Sequence, residues 1–271
     1  MPELPEVETT CRGIAPHMLE QTISRIIVRN RQLRWPIPTT LGKKLQGEKI
    51  ARIYRRGKYI LLQVSHGTTL FHLGMSGSLR LVDENEAAEK HDHFDLVLTN
   101  GLCLRLRDPR RFGSILWAGK EPLQHKLLKS LGPEPLEEDF TASYLHAKSR
   151  QRKQCVKTFI MDSHIVVGVG NIYASESLFR CGIHPSRAAG RVSKQRYESL
   201  VKIIKQVLNE AIQKGGTTLR DFINGNGEPG YFAQKLNVYG RKGEACRVCK
   251  KPIRQITLAQ RSTFYCPVCQ H

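Results

Sequence analysis

The sequence predicts an α+β multidomain chain: an N-terminal β-sandwich with flanking helices, a helical domain after it, and a small C-terminal ribbon or finger held by cysteines. Three observations predict it. Short apolar strand candidates crowd the first half, the apolar period lengthens to that of a helix in the second, and the tail carries two CxxC pairs. At 271 residues the chain is long enough for more than one core.

The elements follow in order. A first helix is expected over residues 7–18, opened by Pro2 and Pro5, with Glu3 and Glu6 suited to its positive end. Strand candidates are 22–29, 49–54, 58–64, 69–73 and 78–82, rich in Ile, Leu and Val. Strands 94–99 and 102–107 flank Asn100-Gly101, a strong hairpin signal. In the second of these, Leu102, Leu104 and Leu106 share one face while Cys103, Arg105 and Arg107 share the other, so half of it faces a core and half faces charge. Pro122, Gly132, Pro133 and Pro135 break the chain between 118 and 136. Beyond them the region 137–216 reads as helical. Tyr197, Leu200, Val201, Ile204, Val207, Leu208, Ala211 and Ile212 recur at helical spacing before Gly215-Gly216. Residues 217–239 hold Gly225, Gly227, Pro229 and Gly230 with little apolar period, and read as a loop or a passive linker. The division expected is 1–132, 133–216, 217–239 and 240–271.

Cys246-Arg247-Val248-Cys249 and Cys266-Pro267-Val268-Cys269 stand sixteen residues apart. Four thiolates in two tight turns make a closed tetrahedral site for one structural Zn2+, and the residues between them have the length of a two-stranded hairpin. Two disulfides or unliganded thiols are the alternative. No position is left open for water, so the expected zinc is not catalytic. Cys11, Cys103, Cys155 and Cys181 lack ligand spacing and read as small buried residues.

Lysine and arginine total 43 against 24 acids, a formal charge of +19, with a sequence pI near 9.8. Such an excess points to a polyanion, with nucleic acid the leading candidate. The ribbon shares it, with Arg241, Lys242, Arg247, Lys250, Lys251, Arg254 and Arg261 against Glu244. No apolar span of about 18 residues and no basic amphipathic stretch suggests a membrane, and the acidic start is unlike a secretion signal, so a reducing cytoplasm is expected.

The start, Met1-Pro2-Glu3-Leu4-Pro5-Glu6-Val7-Glu8, allows a second reading beyond a helix opening. Trimming of Met1 would leave Pro2 with a free secondary amine, titrating near pH 8, about two units below a lysine. Such an amine can attack a sugar C1′ and hold it as a Schiff base, and Glu3 and Glu6 place carboxyl groups beside it. With Met1 retained, the nitrogen is an amide and has no such chemistry.

Further segments accompany this start: Arg55-Arg56-Gly57-Lys58-Tyr59, His72-Leu73-Gly74-Met75-Ser76-Gly77, Lys90-His91-Asp92-His93, Asp108-Pro109-Arg110-Arg111-Phe112-Gly113, Gly168-Val169-Gly170-Asn171-Ile172-Tyr173 and Gly230-Tyr231-Phe232-Ala233. With the two cysteine pairs, and in this order, they make the chain resemble the bacterial formamidopyrimidine-DNA glycosylase family, also called 8-oxoguanine DNA glycosylases. The resemblance implies a β-sandwich, a helix-two-turn-helix domain and a zinc finger. It implies a monomeric base-excision repair enzyme acting on damaged double-stranded DNA, which flips out oxidised purines, cleaves the N-glycosidic bond and nicks the strand by β,δ-elimination. It assigns Pro2 as nucleophile, Glu3 as acid catalyst, Lys58 to β-elimination and Arg261 to δ-elimination. Met75, Arg110 and Phe112 match residues that fill the void left by a flipped nucleotide, and His91, Arg110, Arg152, Lys157 and Asn171 match DNA contacts. Residues 217–239 match a loop that closes over the flipped base. Gln151 departs from the pattern, standing where relatives tend to carry lysine. Two other readings stay open: a relative preferring oxidised pyrimidines, and a noncatalytic zinc-ribbon DNA binder in which Pro2 only starts a helix.

Overall fold

The first helix begins earlier than its apolar period suggests. In the computed structural model, which describes residues 2–215 and 236–271, α1 runs Leu4–Met18. Glu3 caps it, and the Glu6 carboxylate accepts the Glu3 backbone N–H at 2.8 Å. That return bond and the preset φ of Pro5 fix the first turn before any periodicity can register. Leu4, Val7, Cys11, Ile14 and Met18, three or four residues apart, are all buried.

The chain forms two compact units, Met1–Lys129 and Ser130–Lys214 with the ribbon. In the first, α1 is followed by β1 (Ile23–Val28), the short α2 (Leu41–Leu45), β2 (Arg52–Arg56), β3 (Tyr59–Val64), β4 (Gly67–His72), β5 (Ser78–Asp83), β6 (Asp92–Leu98), β7 (Leu102–Arg107) and β8 (Ser114–Gly119). They make two four-stranded antiparallel sheets, ordered β1-β6-β7-β5 and β2-β3-β4-β8. Leu62, Phe71 and Ile115 of one sheet share a core with Ile23, Phe94, Leu96, Leu104 and Leu106 of the other, together with Val7 and Ile14 of α1. The Phe71 and Phe94 rings meet edge to face at 6.0 Å. This is the expected sandwich. The strand β8 and the helix α2 were not expected: α2 is too short to display a period, and β8 is set by pairing with β4, Ile115 opposite Phe71.

The second face of β7 meets charge, as the alternation implies, and at Cys103 and Arg105 it is also buried. Cys103 packs with Val82 and Val97. The Arg105 side chain is 1% exposed and grips Asp95 of β6 through Nε at 2.9 Å and a terminal nitrogen at 3.0 Å. Its remaining donors go to the carbonyls of Glu86 and Ala87. Alternation separates the two faces of a strand; it does not say that the irregular chain between β5 and β6 will seal the polar one.

The second unit holds α3 (Ala142–Ser149), α4 (Val156–Met161), α5 (Asn171–Arg180) and α6 (Lys194–Gln213). All eight apolar residues picked out by spacing in α6 are buried. Ser193 caps it by accepting the Arg196 N–H, and Gly215, at φ +77°, follows its end in the left-handed region. The ribbon hairpin is β9 (Arg254–Leu258) and β10 (Arg261–Tyr265). Its Ile253, Phe264, Cys246 and Cys266 share a small core with Val238 and with Phe179 of α5. Cys11 and Cys103 are buried as expected, whereas Cys155 and Cys181 are only half-buried. Among the described residues no helix is long and apolar enough to cross a membrane. The loop expected at 217–239 and the Gly230-Tyr231-Phe232-Ala233 motif lie almost wholly outside the described residues.

Asp95 supplies the test of this core. Burial alone would raise its carboxyl, but Arg29 and Arg105 hold it below the ordinary value of 3.8. A depressed carboxyl stabilises the fold fully above its unfolded pKa and stops doing so as pH falls through the folded one. Asp95→Asn is expected to cost about 3–5 kcal/mol at pH 7 by leaving Arg105 buried beside a neutral group. The loss, read by urea unfolding, should shrink progressively below about pH 4.

Candidate functional site

Pro2 is half-buried directly before α1, and Glu3 beside it is 2% exposed. A salt bridge ties this helix to the β2–β3 turn. Arg55 Nε donates to Glu8 Oε2 at 2.8 Å while its Nη1 donates to the Gly57 carbonyl at 3.1 Å, next to Lys58. Burial works to raise the Glu8 carboxyl, yet Arg55 and Arg12 hold it below its ordinary value. Half-buried Lys58 lies in the turn just before β3, and the following Tyr59 packs its ring 4.8 Å from His72 on β4. Burial, reinforced by the cations of Lys58 and Arg34, pushes His72 down to about 4. It is therefore neutral near pH 7, as its Nδ1 must be to accept the Gly74 N–H at 3.0 Å.

Met75 and Phe112 lie on neighbouring loop tips and are 42% and 44% exposed, so neither is a core residue. The Arg110 guanidinium stands 4.8 Å over the Phe112 ring. The two loops touch backbone to backbone. A β-carbon at Gly74, which has φ +63°, would sit 2.4 Å from the Phe112 carbonyl carbon, so only glycine fits there. His91 is half-buried at the start of the neighbouring strand, its ring 6.3 Å from His93.

The second unit carries the remaining sites. The Lys157 ammonium, on a residue 1% exposed, donates to Asn171 Oδ1 at 2.5 Å, Thr263 Oγ1 at 2.7 Å and the Ser262 carbonyl at 3.3 Å. Asn171 Nδ2 donates to the same carbonyl at 3.0 Å. Asn171 opens α5 after Gly168, at φ +80°, and Gly170, which caps the helix. Lys157 thus holds Asn171 and the ribbon rather than standing open to solvent. Arg152 is exposed one residue beyond Gln151, which is at φ +61°. Arg261 is exposed at the start of β10, straight after the hairpin turn. Thr263 and Glu176 were not singled out from sequence. Buried Glu176 accepts the backbone N–H groups of Asn237, Val238 and Tyr239 at 2.8–3.0 Å, fixing where the chain joins the ribbon. A glutamate within a helix gives no sequence signal of such a partner.

Cys246, Cys249, Cys266 and Cys269 bring their sulfurs within 4.8 Å of one another. The Cys249–Cys266 and Cys246–Cys269 separations are 3.4 and 3.9 Å. A tetrahedral zinc–sulfur length of about 2.3 Å places sulfurs about 3.8 Å apart, so the cage fits zinc. Burial works to raise the Cys246 thiol, but the backbone N–H groups of Cys249 and Val248 turn it down to about 7. Cys269 is raised by burial and by its sulfur neighbours.

Three family models match in succession: the formamidopyrimidine-DNA glycosylase N-terminal domain over 1–115, its H2TH domain over 131–223, and a zinc finger found in FPG and IleRS over 243–271. The chain is 55% identical to the formamidopyrimidine-DNA glycosylase of Saccharophagus degradans and 57% identical to that of Stutzerimonas stutzeri, each across 100% of both chains. Among solved structures it resembles Lactococcus lactis Fpg in complex with DNA containing an abasic site, with a TM-score of 0.91 and 33% identity over 99% of each chain. It also resembles MutM (Fpg) of Thermus thermophilus, with a TM-score of 0.86 and 35% identity over 99% of this chain and 98% of that one. Matched in order by three domains of one kind, and more than half identical to relatives of its own length, the chain belongs to the formamidopyrimidine-DNA glycosylase family.

Proposed function

We propose that this protein is a base-excision repair enzyme that removes oxidised purines, 8-oxoguanine and formamidopyrimidines, from double-stranded DNA and then nicks the abasic strand. Its segments 1–132, 133–216, 217–239 and 240–271 serve as catalytic domain, helix-two-turn-helix domain, lesion-capping loop and zinc finger. It acts as a cytoplasmic monomer on the nucleoid. The observation that carries the reading is that Pro2 stands next in the chain to Glu3, a carboxyl-bearing residue only 2% exposed that caps α1.

Once Met1 is removed, the Pro2 nitrogen attacks C1′ with its lone pair and loses its proton. The glycosidic bond breaks, its electrons leave with the base, and the base takes up a proton. Glu3 donates a proton to O4′ as the C1′–O4′ bond opens, leaving an iminium. Because proline is a secondary amine, this iminium keeps its positive charge and acidifies the C2′ hydrogen. Loss of that proton expels the 3′ phosphate with Lys58 assisting, and a further elimination, assigned to Arg261, expels the 5′ phosphate. Flipping leaves a void that Met75, Arg110 and Phe112 fill. His91, Arg152, Lys157 and Asn171 serve the DNA-binding surface, Lys157 by fixing the Asn171 amide. The zinc is structural; the four cysteines hold it and it takes no part in these steps.

Borohydride trapping on a duplex carrying 8-oxoguanine opposite cytosine is expected to place the adduct on the Pro2 nitrogen, located by mass spectrometry. A trimmed chain that binds this duplex yet gives neither adduct nor cleavage would overturn the reading. Parallel turnover on an oxidised-pyrimidine duplex separates the two lesion classes. Glu3→Gln should slow excision by about 10²–10⁴-fold, measured in single turnover. Arg261→Ala should leave products that stop at β-elimination, resolved on a denaturing gel. Cys266→Ala is expected to abolish the one zinc per chain found by atomic absorption and to weaken duplex binding.

A further inference from the structure

We propose that Asp108 is a positioning residue that locks the Met75 and Phe112 loops into one pre-formed wedge. The proposal rests on the reading of Met75, Arg110 and Phe112 as the void-filling group.

Asp108 follows β7 and is wholly buried. Its Oδ1 accepts the Ser76 hydroxyl at 2.7 Å, one residue past Met75. Its Oδ2 accepts the Gly113 N–H at 2.7 Å, one residue past Phe112. The Ser76 oxygen in turn accepts the Arg110 N–H at 3.2 Å. One carboxylate and one hydroxyl therefore fasten the two loops that carry all three wedge side chains. The Asp108 backbone is itself pinned: its carbonyl accepts His93 Nε2 at 2.9 Å and the Arg111 N–H at 3.1 Å, and its N–H donates to the His91 carbonyl at 3.0 Å.

The chemistry of these contacts favours position over stability. Asp95 in the same unit spends its oxygens on two arginines. Asp108 spends its oxygens on a loop hydroxyl and a loop amide. A buried carboxylate so used is held at a desolvation cost that packed apolar residues would avoid. What it gains is a fixed separation between two exposed apolar tips, whose ordering need not then be repeated on DNA. Ser76, with its oxygen both donating and accepting inside the clamp, has its hydrogen-bonding groups committed there.

The test uses the full chain with zinc bound and compares Asp108→Asn and Ser76→Ala with Met75→Ala and Phe112→Ala. Asparagine keeps the size but turns an N–H2 toward one of two donors. Insertion is followed by the fluorescence of 2-aminopurine beside 8-oxoguanine in a duplex. Chemistry without insertion is followed by borohydride trapping on a single-stranded abasic oligonucleotide, which has no stack to enter. Asp108→Asn and Ser76→Ala should slow insertion and duplex excision by about ten- to a hundredfold, with single-strand trapping at the wild-type rate. Combining Asp108→Asn with Met75→Ala should add little to either alone. The clamp is overturned if Met75→Ala slows insertion and both clamp variants do not, or if the clamp variants slow single-strand trapping equally. If Met75→Ala and Phe112→Ala themselves leave insertion unchanged, the wedge reading fails instead. Should Asp108→Asn not fold, Ser76→Ala decides alone.

Discussion

The arrangement of the second unit depends on one ammonium held out of water. Taking a lysine charge from solvent costs several kcal/mol unless its donors are met, and Lys157 meets three acceptors drawn from α5 and from the ribbon. Those acceptors lie 14, 105 and 106 residues away in sequence. The requirement to satisfy that charge fixes the Asn171 amide, the first turn of α5 and β10 at once. The zinc cage closes the ribbon from within, while Lys157 and Glu176 fasten it to the helices from without. Arg261 and Asn171 therefore inherit their positions from groups that need not touch a substrate themselves.

The first unit uses buried charge in the same way. Arg55 spans from Glu8 on α1 to the Gly57 carbonyl, so the helix start that carries Pro2 and Glu3 is indexed to the turn that carries Lys58. Arg105, sealed against Asp95, ties the loop from Glu84 to His91 down onto the sheet. Neither pair is needed to bury apolar surface, which the sandwich core already does. Their contribution is geometric, setting distances between chain segments that hydrophobic packing alone would leave loosely specified.

What was legible in the sequence is what local pattern encodes. The helical spacing named every buried apolar residue of α6, Asn100-Gly101 located the β6–β7 turn, and the cysteine spacing located the cage. Exposed Met75 and Phe112 were readable as loop tips because glycine and proline surround them. The rest depends on closure over long sequence distance. The covering of Arg105, the pairing of β8 with β4, and the role of Thr263 arise between segments whose separate patterns say nothing of one another. Motif resemblance supplied Lys157 and Asn171 as residues of interest; their bond to each other became visible only with the fold.

Backbone strain marks several of the same places, although Glu20 and Lys250, at φ +65° and +64°, carry it away from them. Arg111, Gln151, Ala259 and Gln260 all adopt left-handed conformations, at φ +57°, +61°, +44° and +60°. Such angles cost roughly 1–2 kcal/mol for a residue with a side chain. Each of these four adjoins a residue of proposed function: Arg111 lies between Arg110 and Phe112, Gln151 precedes Arg152, and Ala259-Gln260 form the two-residue turn before Arg261. Hairpin turns of that kind ordinarily take asparagine and glycine. Glycine would relieve the strain but would also free the chain on either side of it. A strained turn that persists is one its surroundings over-determine: Arg111 donates its N–H to Asp108, and Ala259-Gln260 are gripped between paired strands. The strain is what remains when three surface loops are held in shape before a partner arrives.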